Sequence, residues 1–169
     1  MNIAKRFISK YFEIPENFYN FENRYLIIAT LGGLGYVKKS PGTIASFVSV
    51  LFFMLLFYIN SSLVVIATTL IVIVGLYVCE KSFNEENRDP QYIVIDEMTG
   101  QGIALLLVGN SIILAIVAFL VFRLLDITKP WIIKSSETSF KGGTAIMIDD
   151  ILAGFFTLII VVIVSIFVR

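Results

Sequence analysis

The stretch Lys141-Gly-Gly-Thr-Ala-Ile-Met-Ile-Asp149-Asp150-Ile-Leu-Ala-Gly154 decides the fold. Two adjacent carboxylates stand at the mouth of an apolar run that carries no further charge as far as Val168. From Ile146 to Val168 the run has 23 residues, about 34 Å as a helix, which is enough to cross a bilayer. A carboxylate at the centre of such a helix costs roughly 2.5–3.5 kcal/mol on insertion scales. Here the pair sits within the first turn or so, near the interface and the positive end of the helix dipole. That placement lowers the cost without accounting for two acids, and it points to a cationic partner.

Composition agrees with this reading. Hydrophobic residues make up 57% of the 169 and charged ones 15%, with a mean hydropathy of +0.89. Soluble domains carry about 25% charged residues, so most of this surface faces lipid. The length is that of one domain, 1–169, divided into an N-terminal segment 1–25 and a helical core 26–169. Cys79 is the one cysteine, which excludes an internal disulfide. Histidine is absent, and with it Ser-His-Asp triads, histidine phosphatases and His-ligated zinc.

Residues 1–25 set Lys5, Arg6 and Lys10 beside an apolar stripe of Ile3, Phe7, Ile8, Tyr11 and Phe12, which predicts a basic amphipathic helix on the membrane surface. The glycine-rich run 27–36 follows. Its glycines serve either as turn and packing residues or as a close approach for an anion. Pro41-Gly42 marks a turn, and Thr43 is positioned to cap the helix after it. Apolar spans are expected at Ile44–Asn60, Leu63–Cys79, Tyr92–Val108, Ile112–Leu125 and from Ile146 onward. The fold class is therefore all-α, a polytopic membrane bundle of about five segments. In alternation, these spans collect 12 of the 13 Lys and Arg on one side, leaving only Arg169 on the other. The positive-inside rule makes the charged side cytoplasmic.

Asp96, Glu97, Asp126, Asp149 and Asp150 come from three segments, yet this topology brings them to one membrane face. Asp96 and Gly100 are four apart, as are Asp150 and Gly154, so each acid has a glycine on its own helical face and a neighbour can approach closely. Two carboxylates 4 Å apart repel by roughly 4 kcal/mol at an effective dielectric of 20. Five in one pocket require protonation or a bridging cation. All-oxygen ligands select magnesium, manganese or calcium. Arg123 and Lys129 supply charge for a phosphate beside the metal. Together these features point to phosphoryl chemistry on a lipid.

Four blocks carry a resemblance. They are Ser40-Pro41-Gly42-Thr43, Ile95-Asp96-Glu97-x-x-Gly100, Phe122-Arg123-x-x-Asp126-x-x-Lys129-Pro130 and Gly142-Gly143-x-x-Ile146-Met147-x-Asp149-Asp150-x-x-Ala153-Gly154. In this order the chain resembles the phosphatidylglycerophosphatase A family over residues 27–155. The resemblance implies a multi-pass enzyme of the bacterial inner membrane, with its active site on the cytoplasmic face. It implies magnesium, with manganese as the alternative, and hydrolysis of phosphatidylglycerophosphate to phosphatidylglycerol. The partners are then this lipid and the bilayer, with no nucleic acid. Departures fall near Val37-Lys38, Ala45, Ile132 and Ala145, and none removes an acid or a cation.

On this reading Asp96, Glu97, Asp126, Asp149 and Asp150 are the catalytic and metal-binding set. Ser40, Pro41, Gly42, Thr43, Arg123, Lys129, Gly142 and Gly143 form the substrate-binding set. Asp149 or Asp150 takes the proton of an attacking water, while a covalent route through an aspartate or Thr43 stays open. Three rivals predict different behaviour. A divalent-cation transporter needs acids in the middle of several spans. A CDP-alcohol phosphotransferase needs an aspartate-rich motif that this sequence lacks. A non-catalytic assembly factor tolerates Asp150→Asn.

Overall fold

The computed structural model describes residues 10–15, 18–19, 23–83, 90–130, 140 and 142–168. Of the amphipathic stripe expected from Ile3 to Phe12, Ile3, Phe7 and Ile8 lie outside them, as do Lys141 and the loop stretches 84–89 and 131–139, while Phe12 pairs with Val37 in a β-bridge. Among the described residues six helices account for nearly all the regular structure: α1 (Arg24–Ala29), α2 (Pro41–Ile59), α3 (Ser61–Ser82), α4 (Ile95–Leu105), α5 (Ile112–Thr128) and α6 (Gly143–Val168). A 3₁₀ turn at Leu34–Tyr36 precedes α2. Among the described residues there is no strand beyond an isolated bridge between Phe12 and Val37.

The helix limits follow local chemistry. Proline opens α2 at its first position, where its missing N–H costs nothing. The residue before it, Ser40, adopts a left-handed φ of 48°, and its side chain accepts no cap hydrogen bond. The expectation for Thr43 is corrected here, because the helix starts two residues earlier and Thr43 lies within its first turn. The Asn60 side chain accepts from Ser62 N at 2.8 Å and caps α3, so one residue joins two long helices. Ser111 does the same for α5, accepting from Leu114 N at 3.3 Å.

Contacts between ends fix the directions. The start of α2 meets the start of α4 and the end of α5, since a side chain at Gly42 would collide with Glu97 and crowd Arg123. The start of α6 meets the end of α3, where Gly143 N donates to Glu80 Oε2 at 2.8 Å. The long helices thus alternate in direction, as expected of short connections. Packing pairs run α2–α3, α3–α6, α6–α5 and α5–α2, and α4 touches all four. This short helix is the axis of the bundle.

Glycines make that enclosure possible. A β-carbon on Gly154 would collide with the Gly100 carbonyl, so α4 and α6 cross backbone against backbone. The four-residue spacing of acid and glycine serves this crossing. Away from the acids, Phe53, Phe57, Val64, Leu105, Val108, Leu114 and Val161 form the apolar core. The outer faces of the long helices stay greasy, with Leu51, Leu55, Ile73, Leu120 and Ile163 each more than half exposed.

Three helices are long and apolar enough to cross a membrane: Pro41–Ile59, Ser61–Ser82 and Gly143–Phe167. The other two expected segments are shorter. α5 has 17 residues, about 26 Å, and α4 has 11, about 16 Å, well under the ~30 Å hydrocarbon core. A five-residue run of turn, 106–110, prolongs α4 toward the far end.

Residues 27–29 of the run 27–36 complete α1, and the rest, with all three glycines, is turn. Gly33 holds φ at 100° ahead of the 3₁₀ turn, and Gly35 lies against the Tyr92 carbonyl. None of its glycines lines the cavity described next.

Candidate active site

At the end of the bundle where α2, α4 and α6 begin and α5 ends, a cavity of about 1240 Å³ opens. Its wall includes Asp96, Glu97, Asp126, Asp149 and Asp150, together with Ser40, Pro41, Gly42, Thr43, Arg123, Lys129 and Gly142. The structure therefore gathers every expected site residue except Gly143 on one surface. Gly143 packs instead against the backbone of Cys79 and Glu80, where no side chain fits.

The five acids divide into two groups. Asp96, Glu97 and Asp150 each present one carboxylate oxygen within 4.8 Å of the others. Asp96 and Glu97 open α4, and Asp150 reaches them from α6 across the Gly100–Gly154 contact. Asp96 and Asp150 are 8% and 4% exposed, too buried for water to offset their mutual repulsion. Glu97 Oε2 and Asp150 Oδ2 are buried with no hydrogen-bond partner. Buried carboxylate oxygens are costly to leave unmatched, so this trio fits a hard divalent cation. Oxygen-only donors at this spacing suit magnesium or manganese.

The other two acids hold the cations. Arg123 Nη1 pairs with Asp126, as their three-residue spacing on α5 anticipates, and lies 3.9 Å from Glu97 Oε1 and 3.4 Å from Ser46 Oγ. Lys129 sits just past the helix with φ at 39°, and its ammonium bonds Asp149 Oδ2 at 3.0 Å. Asp126 and Asp149 thus stand beside the trio as counter-ions that orient two positive groups toward the same space.

Gly42 has a specific duty. Its missing side chain lets Glu97 lie against the first turn of α2, where the helix dipole favours negative charge. No side chain caps that turn. Pro41, Gly42 and Thr43 of that turn line the cavity, and a helix N-terminus in such a place suits an anion.

Lys38, Gln91, Phe83 and Phe140 also line the cavity and were missed by the sequence reading. Lys38 adjoins a motif, but nothing in the local pattern distinguishes it from Lys39. Glu80 was missed for a different reason. An acid in the last turn of α3 opposes the dipole of its own helix, and that misfit is its only local signal. Its carboxylate serves α6 instead, satisfying the Gly143 amide.

The family model for phosphatidylglycerophosphatase A matches residues 27–165. The chain belongs to the phosphatidylglycerophosphatase A family. Phosphatidylglycerophosphatase A of Escherichia coli K12 is 30% identical over 144 residues, covering 84% of each chain. Its namesake from Haemophilus influenzae is 31% identical over 138 residues, covering 80% of this chain and 85% of the relative. A Bacteroides thetaiotaomicron protein provisionally named phosphatidylinositol-3-phosphatase is 33% identical over 144 residues, covering 80% of this chain and 90% of its own length. No solved structure matches. Membership makes this chain an enzyme of the phosphoric monoester hydrolase class.

Proposed function

We propose that this chain hydrolyses phosphatidylglycerophosphate to phosphatidylglycerol and inorganic phosphate in phospholipid biosynthesis. The observation that carries the proposal is the convergence of Asp96, Glu97 and Asp150 beside Arg123, at one end of a bundle with three membrane-length helices. The membrane is the inner one and the cavity faces the cytoplasm, as the distribution of Lys and Arg supports. In this topology α5 crosses as well, and α4 is the short fifth segment held among the other four.

Asp96, Glu97 and Asp150 would hold magnesium, with manganese able to replace it. Bound there, the ion supplies Lewis-acid stabilisation of phosphoryl charge and acidifies water. Arg123 and Lys129 neutralise the phosphoryl oxygens, and the amides of the first turn of α2 donate to them. Asp126 and Asp149 keep the two cations extended into the cavity. The Asp149 carboxylate accepts the proton of the attacking water. Water oxygen bonds to phosphorus as the ester P–O bond breaks, and the leaving alkoxide takes the proton that Asp149 accepted to become the glycerol hydroxyl. Phosphate and phosphatidylglycerol are the products.

The Bacteroides relative brings a second substrate into the test, phosphatidylinositol 3-phosphate. Both lipids carry a terminal phosphomonoester beyond a phosphodiester. Purified protein should release phosphate from phosphatidylglycerophosphate with magnesium and stop with chelator. Faster release from the inositol lipid would transfer the reading to that substrate. Release from neither would overturn the proposal.

A further inference from the structure

On the outer wall of the bundle, away from the cavity, α1 packs against the final turns of α3. There Arg24 Nη2 donates to Tyr25 Oη at 3.0 Å, with its guanidinium 4.9 Å from the centre of the Tyr25 ring. The Tyr25 and Tyr77 rings meet edge to face at 5.8 Å, and Lys81 Nζ lies 5.9 Å from the Tyr77 ring centre. Two cations and two phenols thus form one cluster drawn from two helices. None of the four lines the catalytic cavity.

The cluster terminates a stripe. Leu70, Ile73, Val74, Tyr77 and Lys81 follow one another by three, one, three and four residues, so they share a face of α3. Leu70, Ile73 and Tyr77 are 57%, 59% and 54% exposed, and Ile28 of α1 flanks them at 44%. α3 is one of the helices long and apolar enough to span a membrane. Apolar side chains therefore run along the acyl region and end in tyrosine, then in lysine and arginine, at headgroup depth. Glu80, the acid beside Lys81, is turned toward α6, where its carboxylate accepts from the Gly143 amide.

We propose that this stripe binds one anionic phospholipid, with its phosphate held by Arg24, Lys81 and the tyrosine hydroxyls and an acyl chain along Leu70, Ile73 and Val74. A zwitterionic lipid offers the same chains and a phosphate whose charge is internally cancelled, so the cations select against it. The site is independent of catalysis, and its occupant is a neighbour of the enzyme in the membrane, held without being turned over.

A tryptophan placed on the stripe reads the site locally. In a Trp131→Phe background, Ile73→Trp is reconstituted in phosphatidylcholine with small fractions of brominated lipid. Brominated phosphatidylglycerol should quench at a mole fraction at least about fivefold lower than brominated phosphatidylcholine, the scale expected if even one of the two interfacial cations engages the phosphate. Adding Arg24→Gln and Lys81→Gln should abolish that preference while phosphatase activity persists, which shows that the variant is folded. A second reporter, Ile163→Trp on the exposed face of α6, should show no preference. Equal quenching by both lipids at Ile73→Trp, an undiminished preference without the cations, or the same preference at Ile163→Trp would each overturn the proposal.

Discussion

The two ends of the bundle are built to opposite rules. The far end, around Phe53, Phe57, Val64, Leu105 and Leu114, is held by apolar packing, with the uncharged Thr68 buried beside Phe53, and closes with the neutral caps Asn60 and Ser111. The near end buries acids, leaves Glu97 Oε2, Asp150 Oδ2 and Arg123 Nε without hydrogen-bond partners, and opens into a cavity. The first arrangement stabilises the fold. The second works against it, because buried charge returns its desolvation cost only when every partner is present. The contrast teaches that stability and chemistry are segregated along the helix axes, with α4 linking them through eight buried residues.

Substitutions should separate the two ends. Asp150→Asn has the largest expected effect, a loss of at least about 100-fold in phosphate release, with Asp96→Asn and Glu97→Gln alike. Full activity in all three would dissolve the contrast. Phe53→Ala at the far end should lower unfolding free energy by about 3 kcal/mol in detergent while leaving kcat within about twofold. Gly100→Ala sharpens the comparison because it lies between the ends. A methyl there meets the Asp150 carbonyl and the Phe122 ring, so it should cost about 1–3 kcal/mol and also reduce turnover. The smallest effect belongs to Glu80→Ala, about 1 kcal/mol from the lost cap of α6, read as faster amide exchange at its first turn.

Much of the near end was legible before any coordinates. Acids inside apolar runs are rare enough that Asp96, Glu97, Asp149 and Asp150 identify themselves, and glycines four residues along mark the helix crossing. Hydropathy also distinguishes α2, α3 and α6. It fails for α4, since a short helix enclosed by others reads like a spanning one when both are apolar. Pairing across the fold was equally hidden. Nothing local says that Gly42 makes room for Glu97, or that Glu80 bonds an amide 63 residues away. The division of five acids into a trio and two counter-ions depends on Lys129 turning back to Asp149 past the end of α5. Asp126 and Lys129 are three residues apart, so spacing alone points Lys129 toward Asp126.

The central claim is that the Asp96, Glu97 and Asp150 oxygens grip a divalent cation, and manganese titration followed by electron paramagnetic resonance tests it most directly. The parent protein should take up manganese that magnesium displaces, and Asp150→Asn should weaken that uptake at least about tenfold, the lower range for a lost contact at a metal site. Equal manganese binding by the parent and Asp150→Asn would contradict the account.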